Sequence, residues 1–175
     1  MAPLLADVVA HLERKSVPAA LIGAAALSSY GVARATFDAD LVTVSRDVLV
    51  PGFWESFPAE VDIRRGDFDD PLAGVVRIQR SNDRQVDVIV SKYKYVRDIV
   101  ERAESRMIAR LELPVVRLAD LVLLKLDAGG TQDCWDIERV LDQASPELIA
   151  EVEQLLPNLP EDARTLWSRI RTARA

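Results

Sequence analysis

The chain has 175 residues, of which 49% are hydrophobic and 29% are charged. These proportions are typical of a folded globular protein and exclude a disordered or collagen-like chain. The net charge of -6 and the pI near 4.9 exclude a protein whose whole surface binds nucleic acid through lysine and arginine. A single Cys134 and a single His11 exclude an internal disulfide and the usual zinc ligand sets, so carboxylates would have to hold any bound metal.

The first predicted element is an amphipathic helix within residues 1–15, where leucine and valine recur at helical spacing. This segment lacks the basic start and the cleavage pattern of a secretory signal, which predicts a cytoplasmic location. Residues 16–33 carry no charge, but proline, glycine and serine interrupt them. They therefore predict a buried strand, Ala19–Ile22, and a buried helix, Ala24–Tyr30, closed by Gly31, and we expect no membrane partner.

The middle of the chain alternates apolar and polar residues with the period of two that is typical of strands. Four more strands are expected there: Phe37–Val44, Val61–Arg65, Gly74–Arg80 and Gln85–Val90. The turn-rich tetrapeptide Ser81–Arg84 suits a hairpin between the last two. Between residues 45 and 58 the pattern predicts a loop with a short helix around Phe53 and Trp54.

From residue 93 onward the pattern predicts helices separated by glycine and proline. The expected helices are Tyr93–Glu104, Leu118–Ala128, Gln132–Gln143, Pro146–Leu155 and Glu161–Thr172. Residues 114–116 are expected to form an extended link. The predicted fold class is therefore α+β, with a mixed sheet of about five strands flanked by helices. We expect residues 1–116 to form an α/β core and the helical residues 117–175 to pack on it as one compact unit.

Aspartates interrupt two of the predicted strands, although aspartate is depleted in strands. Asp38 and Asp40 lie two residues apart, so both carboxylates leave the same face of a strand about 7 Å apart. Asp87 lies between two valines of another predicted strand and supplies a third carboxylate. Three converging carboxylates can hold the Mg²⁺ ions that neutralise a nucleoside triphosphate. The alternative is that the three are solvated residues scattered over the surface of a plain α/β domain.

Two further features bear on phosphate binding. Gly23 separates a predicted strand from a predicted helix, and such a turn places backbone N–H groups at a helix N-terminus, where phosphate is favoured. Lys125 lies in the apolar run Leu-Val-Leu-Leu-Lys-Leu and needs a partner if it is buried. That partner is either a triphosphate or the pair Asp133 and Asp136, which are three residues apart and can share a helix face.

The sequence also allows expectations for the remaining basic and aromatic residues. The arginines within residues 77–84 are expected to form a solvated face without a role in the site. Arg34, just before the acidic strand, is a candidate phosphate contact or a solvated loop residue. Trp54 and Trp135 are expected to pack in the core or at a hinge rather than to stack on a base.

Several of these segments follow one another in a recognisable order. They are Ile22-Gly23-Ala24-Ala25-Ala26-Leu27, then Tyr30-Gly31, then Arg34-Ala35-Thr36-Phe37-Asp38-Ala39-Asp40-Leu41. This order resembles the opening motif of the DNA polymerase β-type nucleotidyltransferase superfamily. More narrowly, it resembles small prokaryotic proteins related to the AbiEii toxins of toxin-antitoxin and phage-abortive systems. Residues 118–126 and 133–137 are similar to the lysine helix and the Asp-x-x-Asp segment of that group.

The resemblance implies a mixed sheet flanked by helices and the transfer of a nucleoside monophosphate from an NTP to an acceptor hydroxyl, with release of pyrophosphate. It implies two Mg²⁺ ions, with Mn²⁺ as an alternative, bound by Asp38 and Asp40. Asp87 would ligate the ion nearer the acceptor and help to deprotonate the attacking hydroxyl. The implied acceptors are RNA such as tRNA, a protein or a small molecule, and the implied protein partner is a cognate toxin or antitoxin.

The resemblance also implies which residues contact the nucleotide. Gly23, Ala24 and Lys125 would bind the triphosphate, and a supporting shell would comprise Arg34, Asp133 and Asp136. Ala24 departs from the family, which has glycine or serine there, and so lacks a hydroxyl contact to phosphate. The alternative function is therefore a catalytically silent module of the same fold that binds a nucleotide or a partner protein and regulates it.

Overall fold

The computed structural model describes residues 3–32, 38–108 and 110–174. The chain divides into two compact units, residues 1–116 and residues 117–175. All the strands of the described chain lie in the first unit, and the described part of the second is helical. Within the described ranges, no helix combines the length and the apolar character that crossing a membrane requires.

The first unit is built on a single mixed sheet. Its strands are β1 (Ala20–Ile22), β2 (Ala39–Thr43), β3 (Glu60–Arg65), β4 (Leu72–Gln79), β5 (Val86–Ser91), β6 (Glu104–Ile108) and β7 (Leu111–Val115). They lie in the order β3-β4-β5-β2-β1-β7-β6. The pairs β2/β5 and β1/β7 are parallel, and the other neighbouring strands are antiparallel.

The α-helices of the first unit are α1 (Pro3–Arg14), α2 (Gly23–Ser28) and α3 (Lys94–Glu101). Single-turn 3₁₀ helices at Arg46–Leu49 and Pro51–Phe53 agree with the short helix expected near Phe53. The second unit contains α4 (Leu118–Ala128), α5 (Thr131–Leu141), α6 (Pro146–Leu155) and α7 (Glu161–Thr172), with a 3₁₀ turn at Leu156–Asn158.

Alternation along the central strands gives the sheet one buried and one more open face. Val76 and Ile78 of β4 and Val86 and Val88 of β5 are fully buried, whereas the polar residues between them are half-buried. Helix α1 packs against β5 and β7, and α3 packs against β2. Because strand side chains alternate between faces, the polar residues gather on the opposite face from these valines and this isoleucine.

Over the described residues the sheet has seven strands rather than the five expected, because β6 and β7 were not predicted. The helix expected over Tyr93–Glu104 ends at Glu101, and residues 114–116, expected to be a link, include the end of β7. Strand β6 is at the edge of the sheet, and its sequence Glu-Ser-Arg-Met-Ile has no alternating apolar pattern. Charged edge strands are common because they discourage pairing between molecules, and they hide the strand signal.

Helix α2 is shorter at its C-terminus than the predicted Ala24–Tyr30. The hydroxyls of Ser28 and Ser29 donate to the carbonyls of Ala25 and Ala26, at 2.7 Å each. Serine hydroxyls compete for backbone groups in this way and favour helix ends. Helices α4, α6 and α7 have the predicted bounds, and Gly129 ends α4 in the left-handed conformation that glycine adopts readily.

Candidate functional site

The site is built around two aspartates on neighbouring parallel strands. Asp40 of β2 and Asp87 of β5 are register partners, so both side chains leave the same face of the sheet. Ala39 and Leu41 are buried on the other face, as the strand pattern predicted. The two carboxylates therefore occupy adjacent positions on the more open face.

Asp38 lies just outside this pair. Strand β2 begins at Ala39 rather than at Phe37, so Asp38 directly precedes the strand and is exposed. The next residue, Ala39, donates from its backbone N–H to the carbonyl of Gln85, just before β5, at 3.0 Å. Phe37 and Arg34, the candidate phosphate contact, lie outside the described residues.

Gly23 approaches the same carboxylate from β1. Ile22 is the register partner of Asp40, and Gly23 follows it with a φ of 68°. A Cβ atom at this position would overlap Oδ2 of Asp40. The left-handed backbone conformation favours glycine at this position, and any larger residue would also have to displace the Asp40 carboxylate. The next residue, Ala24, is buried in the first turn of α2.

Asp87 has a basic partner across the β4/β5 hairpin. Arg77 is its register partner, and its guanidinium donates from Nε to Oδ1 at 3.1 Å and from Nη2 to Oδ2 at 3.0 Å. The amide Nε2 of Gln85 also donates to both carboxylate oxygens, at 3.1 and 3.2 Å. We expected the arginines of residues 77–84 to form a solvated face, and the ion pair between Arg77 and Asp87 was not predicted.

The electrostatic environment favours the charged form of Arg77. Its hydrogen bonds to Asp87 and the charge of that carboxylate raise the pKa of Arg77 above its ordinary value, and Asp38 and Asp62 raise it further. Asp62 of β3 is the register partner of Arg77 on the other side. A row of charged residues therefore crosses four strands, in the order Asp62, Arg77, Asp87 and Asp40, with Arg77 as its one basic member.

The arrangement does not match the metal site that the resemblance implies. Across residues 3–32, 38–108 and 110–174, no three acidic, histidine or cysteine side chains are grouped so that they could hold a metal ion. The Asp87 carboxylate, moreover, already accepts from Arg77 and Gln85. As arranged, Asp38, Asp40 and Asp87 do not form a three-carboxylate Mg²⁺ site, because one of the three has another cation as its partner.

An open cavity of about 670 Å³ lies beside this row. Its lining residues are mainly polar: Asp38, Ala59, Glu60, Gln79, Arg80, Ser81, Asp83 and Gln85. Glu60 and Gln79 are register partners two residues from Asp62 and Arg77 and therefore lie on the same face. The volume is within the range of small-molecule and cofactor pockets.

Lys125 lies in the second unit and pairs with Asp133 and Asp136, which is one of the two alternatives expected for it. Its Nζ atom contacts Asp136 at 2.6 Å and Asp133 at 3.0 Å, and its side chain is only 10% exposed. Asp136 is almost fully buried and also accepts a longer hydrogen bond of 3.4 Å from Gln132. The ion pair thus joins α4 to α5.

The two tryptophans differ. Trp54 is buried as expected and donates from Nε1 to the Val48 carbonyl at 2.7 Å. Trp135 is 62% exposed, so of the two expected alternatives, core and hinge packing, the first is wrong for it. Asp136, Ile137 and Val140 form the buried side of α5, and Trp135 falls on the other side of the helix.

Arg77 and Gln85 are the site residues that sequence reasoning missed. The signal was present in the hairpin, because a turn centred on Asn82 places residues 77 and 87 at equal distances from it. Asn82 has a φ of 68°, a conformation that asparagine adopts more readily than most residues in tight turns. Register counting from this turn would have paired Arg77 with Asp87.

Comparison with solved structures supports the fold. TM1012 from Thermotoga maritima, assigned as a nucleotidyltransferase, matches 81% of this chain over 92% of its own, with a TM-score of 0.55 and 12% identity. The antibiotic-resistance factor ANT(2'')-Ia matches 98% of this chain over 91% of its own, with a TM-score of 0.46 and 14% identity. A nucleotidyltransferase-like antigenic protein from Paracoccidioides brasiliensis matches 93% over 90%, with a TM-score of 0.49 and 15% identity.

No protein-family model matches the sequence, and no curated protein matches it either. The likeness to TM1012 shows that the chain has a nucleotidyltransferase-like fold, and it confirms the predicted α+β class with a mixed sheet flanked by helices. At this level of identity the comparison concerns the fold alone.

Proposed function

We propose that the protein transfers a nucleoside monophosphate from an NTP to an acceptor hydroxyl and releases pyrophosphate. The observation that carries this proposal is the register pairing of Asp40 with Asp87, with the Gly23 turn against the Asp40 carboxylate. Carboxylates on two adjacent parallel strands beside a glycine turn place acidic groups and backbone amides on one face. The nucleotidyltransferase-like fold supports the same reaction class.

The chain's own residues have distinct roles in this proposal. The backbone N–H groups of Gly23 and Ala24 bind the triphosphate, since Gly23 has no side chain between the backbone and the site. Asp87 accepts the proton of the attacking hydroxyl as general base. Mg²⁺, or Mn²⁺ in its place, remains part of the proposal as the cation that neutralises the triphosphate, although Asp38, Asp40 and Asp87 as arranged do not form its site.

Lys125 receives a structural role instead of a nucleotide-binding one. Its ammonium group lies between Asp133 and Asp136, and these contacts satisfy a buried charge. We therefore assign these three residues to the packing of α4 against α5. Of the two partners expected for Lys125, a triphosphate or this aspartate pair, the assignment takes the aspartate pair.

The acceptor class and the biological setting rest on the resemblance in residues 22–41 and 118–137. The proposed acceptor is an RNA such as tRNA, a protein or a small molecule. The proposed biological setting is a toxin-antitoxin role with a cognate partner. Incubation with a cell extract and an NTP labelled at its α-phosphate tests the acceptor class, because the labelled product identifies the acceptor. Co-purification with the product of a neighbouring reading frame tests the toxin-antitoxin role.

A second function is favoured by a specific observation. The bidentate pair between Arg77 and Asp87, with Gln85 on the same carboxylate, engages the proposed general base. Ala24 also lacks the hydroxyl that the resembled family uses on phosphate. Both features suit a catalytically silent module that binds a nucleotide or a partner protein without transfer.

One experiment separates these functions. The full chain is incubated with each α-labelled NTP, Mg²⁺ or Mn²⁺ and a cell extract, and both NTP binding and pyrophosphate release are measured. Transfer by the wild type, lowered about 100-fold or more in Asp40→Asn and Asp87→Asn, supports nucleotidyl transfer. The matched control is Asp62→Asn on the same charged row, which should retain activity within a few fold.

Other outcomes are equally informative. Binding of NTP without transfer in the wild type supports the silent module and contradicts catalysis. Absence of both NTP binding and transfer contradicts nucleotidyl transfer and a nucleotide-binding module, and leaves a module that binds a partner protein or a plain α/β domain.

A further inference from the structure

A second cavity, of about 530 Å³, lies at the other end of the β4/β5 hairpin from the charged row. Its lining comes from the 3₁₀ helix Arg46–Leu49, the loop of residues 66–71 that joins β3 to β4, and Lys92. Lys92 directly follows β5, whereas Asp87 is the second residue of that strand. About 17 Å of strand therefore separate these two residues, and the cavity is distinct from the proposed nucleotide site.

Exposed apolar side chains gather at this cavity. Val50 is 52% exposed and Phe68 is 97% exposed, and both line it. The buried residues Leu49 and Ala73 line it as well, so much of its wall is apolar. Single exposed hydrophobic residues are ordinary, but a group of them beside a cavity forms an apolar patch, and such patches mark binding sites.

Two arginines bring positive charge to the same cavity. The Arg65 Nη2 atom donates to the Leu49 carbonyl at 3.0 Å, and Arg46 is exposed. Over the described residues, neither guanidinium has a carboxylate partner. Asp67 is the acidic residue among those that line the cavity, so the basic residues outnumber it. A guanidinium fork with donors to spare matches a carboxylate.

The loop of residues 66–71 is held in place by Lys92. The Lys92 Nζ atom donates to the carbonyls of Asp67, Phe68 and Asp70, at 2.6, 3.2 and 2.7 Å. An ammonium group has three protons, so these bonds use all of its donors. The backbone N–H of Lys92 also donates to the Pro71 carbonyl at 3.1 Å. Lys92 therefore positions the loop that carries Phe68 and leaves the arginines to meet a ligand.

We propose that this cavity binds a small organic carboxylate with an apolar or aromatic body. The carboxylate pairs with Arg46 and Arg65, and the body lies against Val50 and Phe68. The volume is within the range of small-molecule pockets. The apolar wall favours a singly charged head group over a polyphosphate, because each further charge would have to be desolvated.

The test measures binding of 2-naphthoate to the full chain by calorimetry. The neutral 2-naphthalenemethanol keeps the apolar body without the charge, and acetate keeps the charge without the body. We expect 2-naphthoate to bind at least about tenfold more tightly than either compound, because each lacks one of the two contacts. Changes in backbone amide NMR shifts locate the bound 2-naphthoate and are expected at residues 46–50 and 66–71.

Three substitutions test the proposed contacts. Phe68→Ala should weaken 2-naphthoate binding about tenfold, since it removes the aromatic wall. Arg65→Gln should weaken it about tenfold, and Arg46→Gln about threefold or more. Phe68 and Arg46 are exposed, so their variants should fold like the wild type even where Arg65→Gln does not. Thermal unfolding of each variant verifies this.

Each kind of contact has a matched control. Met107→Ala shortens an exposed hydrophobic side chain on the edge strand β6. Arg64→Gln removes an arginine next to Arg65, and adjacent strand residues point to opposite faces of the sheet. Because neither residue lines the cavity, both variants should change the affinity for 2-naphthoate less than about twofold.

Four outcomes overturn the proposal. No binding of 2-naphthoate leaves the patch to a partner protein, and equal binding of the alcohol shows that no anion is recognised. Losses in Met107→Ala or Arg64→Gln as large as those in Phe68→Ala or Arg46→Gln place the probe elsewhere. Displacement of 2-naphthoate by ATP shows that the cavity belongs to the nucleotide site. None of these measurements depends on nucleotidyl transfer.

Discussion

Gly23 leaves open the space that the carboxylate of Asp40 occupies, since a Cβ atom at position 23 would overlap Oδ2 of that aspartate. The two residues belong to adjacent strand ends, and Ile22, which precedes Gly23, is the register partner of Asp40. A side chain at position 23 would therefore have to displace the Asp40 carboxylate.

This relationship predicts that Gly23→Ala destabilises the protein in two ways. A left-handed φ costs a residue with a Cβ atom about 1–2 kcal/mol, and the overlap with Asp40 adds to that loss. We expect a loss of unfolding free energy above about 2 kcal/mol, measured by urea denaturation. The proposed function adds the expectation that Gly23→Ala also weakens NTP binding.

Gly31→Ala is the matched control for this substitution. Gly31 has a φ of 82°, but among the described residues other than its chain neighbours no atom lies within 4 Å of the position its Cβ would take. It should therefore show the conformational cost without the overlap. Equal losses in the two variants would contradict a tight approach of Gly23 to Asp40.

The buried ion pair of the second unit predicts a large loss of stability in Lys125→Met. The substitution leaves the almost fully buried Asp136 without its cation, and breaking a buried pair in this way typically costs about 3–5 kcal/mol. Urea denaturation measures the loss. The double variant Lys125→Met, Asp136→Leu should recover most of it, since a well-packed apolar pair of similar volume is often as stable.

The control for the ion pair is Arg174→Met, which removes an exposed pair with Asp142 in the same unit. Exposed ion pairs contribute about 0–1 kcal/mol, so this variant should remain close to the wild type. A loss in Lys125→Met as small as that in Arg174→Met would show that Asp136 does not depend on Lys125.

Ala24→Ser tests the departure from the resembled family and rests on the proposed triphosphate site. Ala24 lies in the first turn of α2, directly after the glycine turn. A hydrogen bond to a charged group contributes about 1.5–3 kcal/mol, so a serine hydroxyl on phosphate should tighten NTP binding about tenfold or more. Equilibrium dialysis with labelled NTP measures the affinity.

Ala25→Ser adds a hydroxyl to the next residue of the same buried turn and serves as the control. It should leave NTP affinity unchanged or lower it. If Ala24→Ser also leaves the affinity unchanged, the triphosphate does not bind at the N-terminal turn of α2.

A pH-dependent effect is expected at the start of α6. A hydrogen bond from Ser145, followed by one from the backbone of Glu147 itself, lowers the pKa of the Glu147 carboxyl below its ordinary value. A lowered pKa in the folded state means that the contribution to stability is present above the unfolded pKa and is lost as the pH falls through the folded one. In Ser145→Ala the pKa of the Glu147 carboxyl should return toward its ordinary value, which NMR titration measures.

The same substitution removes the helix cap, since the Ser145 hydroxyl accepts from the Leu148 N–H at 3.3 Å. Its cost at neutral pH should be about 1 kcal/mol. Ser168→Ala, whose hydroxyl donates to the Arg164 carbonyl on α7, is the control and should leave the Glu147 titration unchanged. A Glu147 pKa that does not respond to Ser145→Ala would exclude the hydrogen bond as its cause.

Local sequence signals were sufficient for the elements whose ends have their own chemistry. Helix α6 begins where Ser145 caps it and Pro146 occupies its first turn, and α4 ends where Gly129 adopts a left-handed φ. The strands β2, β4 and β5 were found from their alternating apolar residues. Asp40 and Asp87 were predicted as site candidates because aspartate is depleted in strands, whereas Asp38, predicted on the same ground, precedes its strand.

Long-range pairing decided the rest. Strand β6 has no apolar alternation and becomes a strand only because β7 supplies its hydrogen-bonding partners. The pairing of Asp40 with Asp87 likewise depends on which strands are neighbours, and a parallel β2/β5 pair joins residues 47 positions apart. The partner of Asp87 was decided last, because only the hairpin register places the Arg77 guanidinium opposite that carboxylate, and no local pattern records which charges meet across strands.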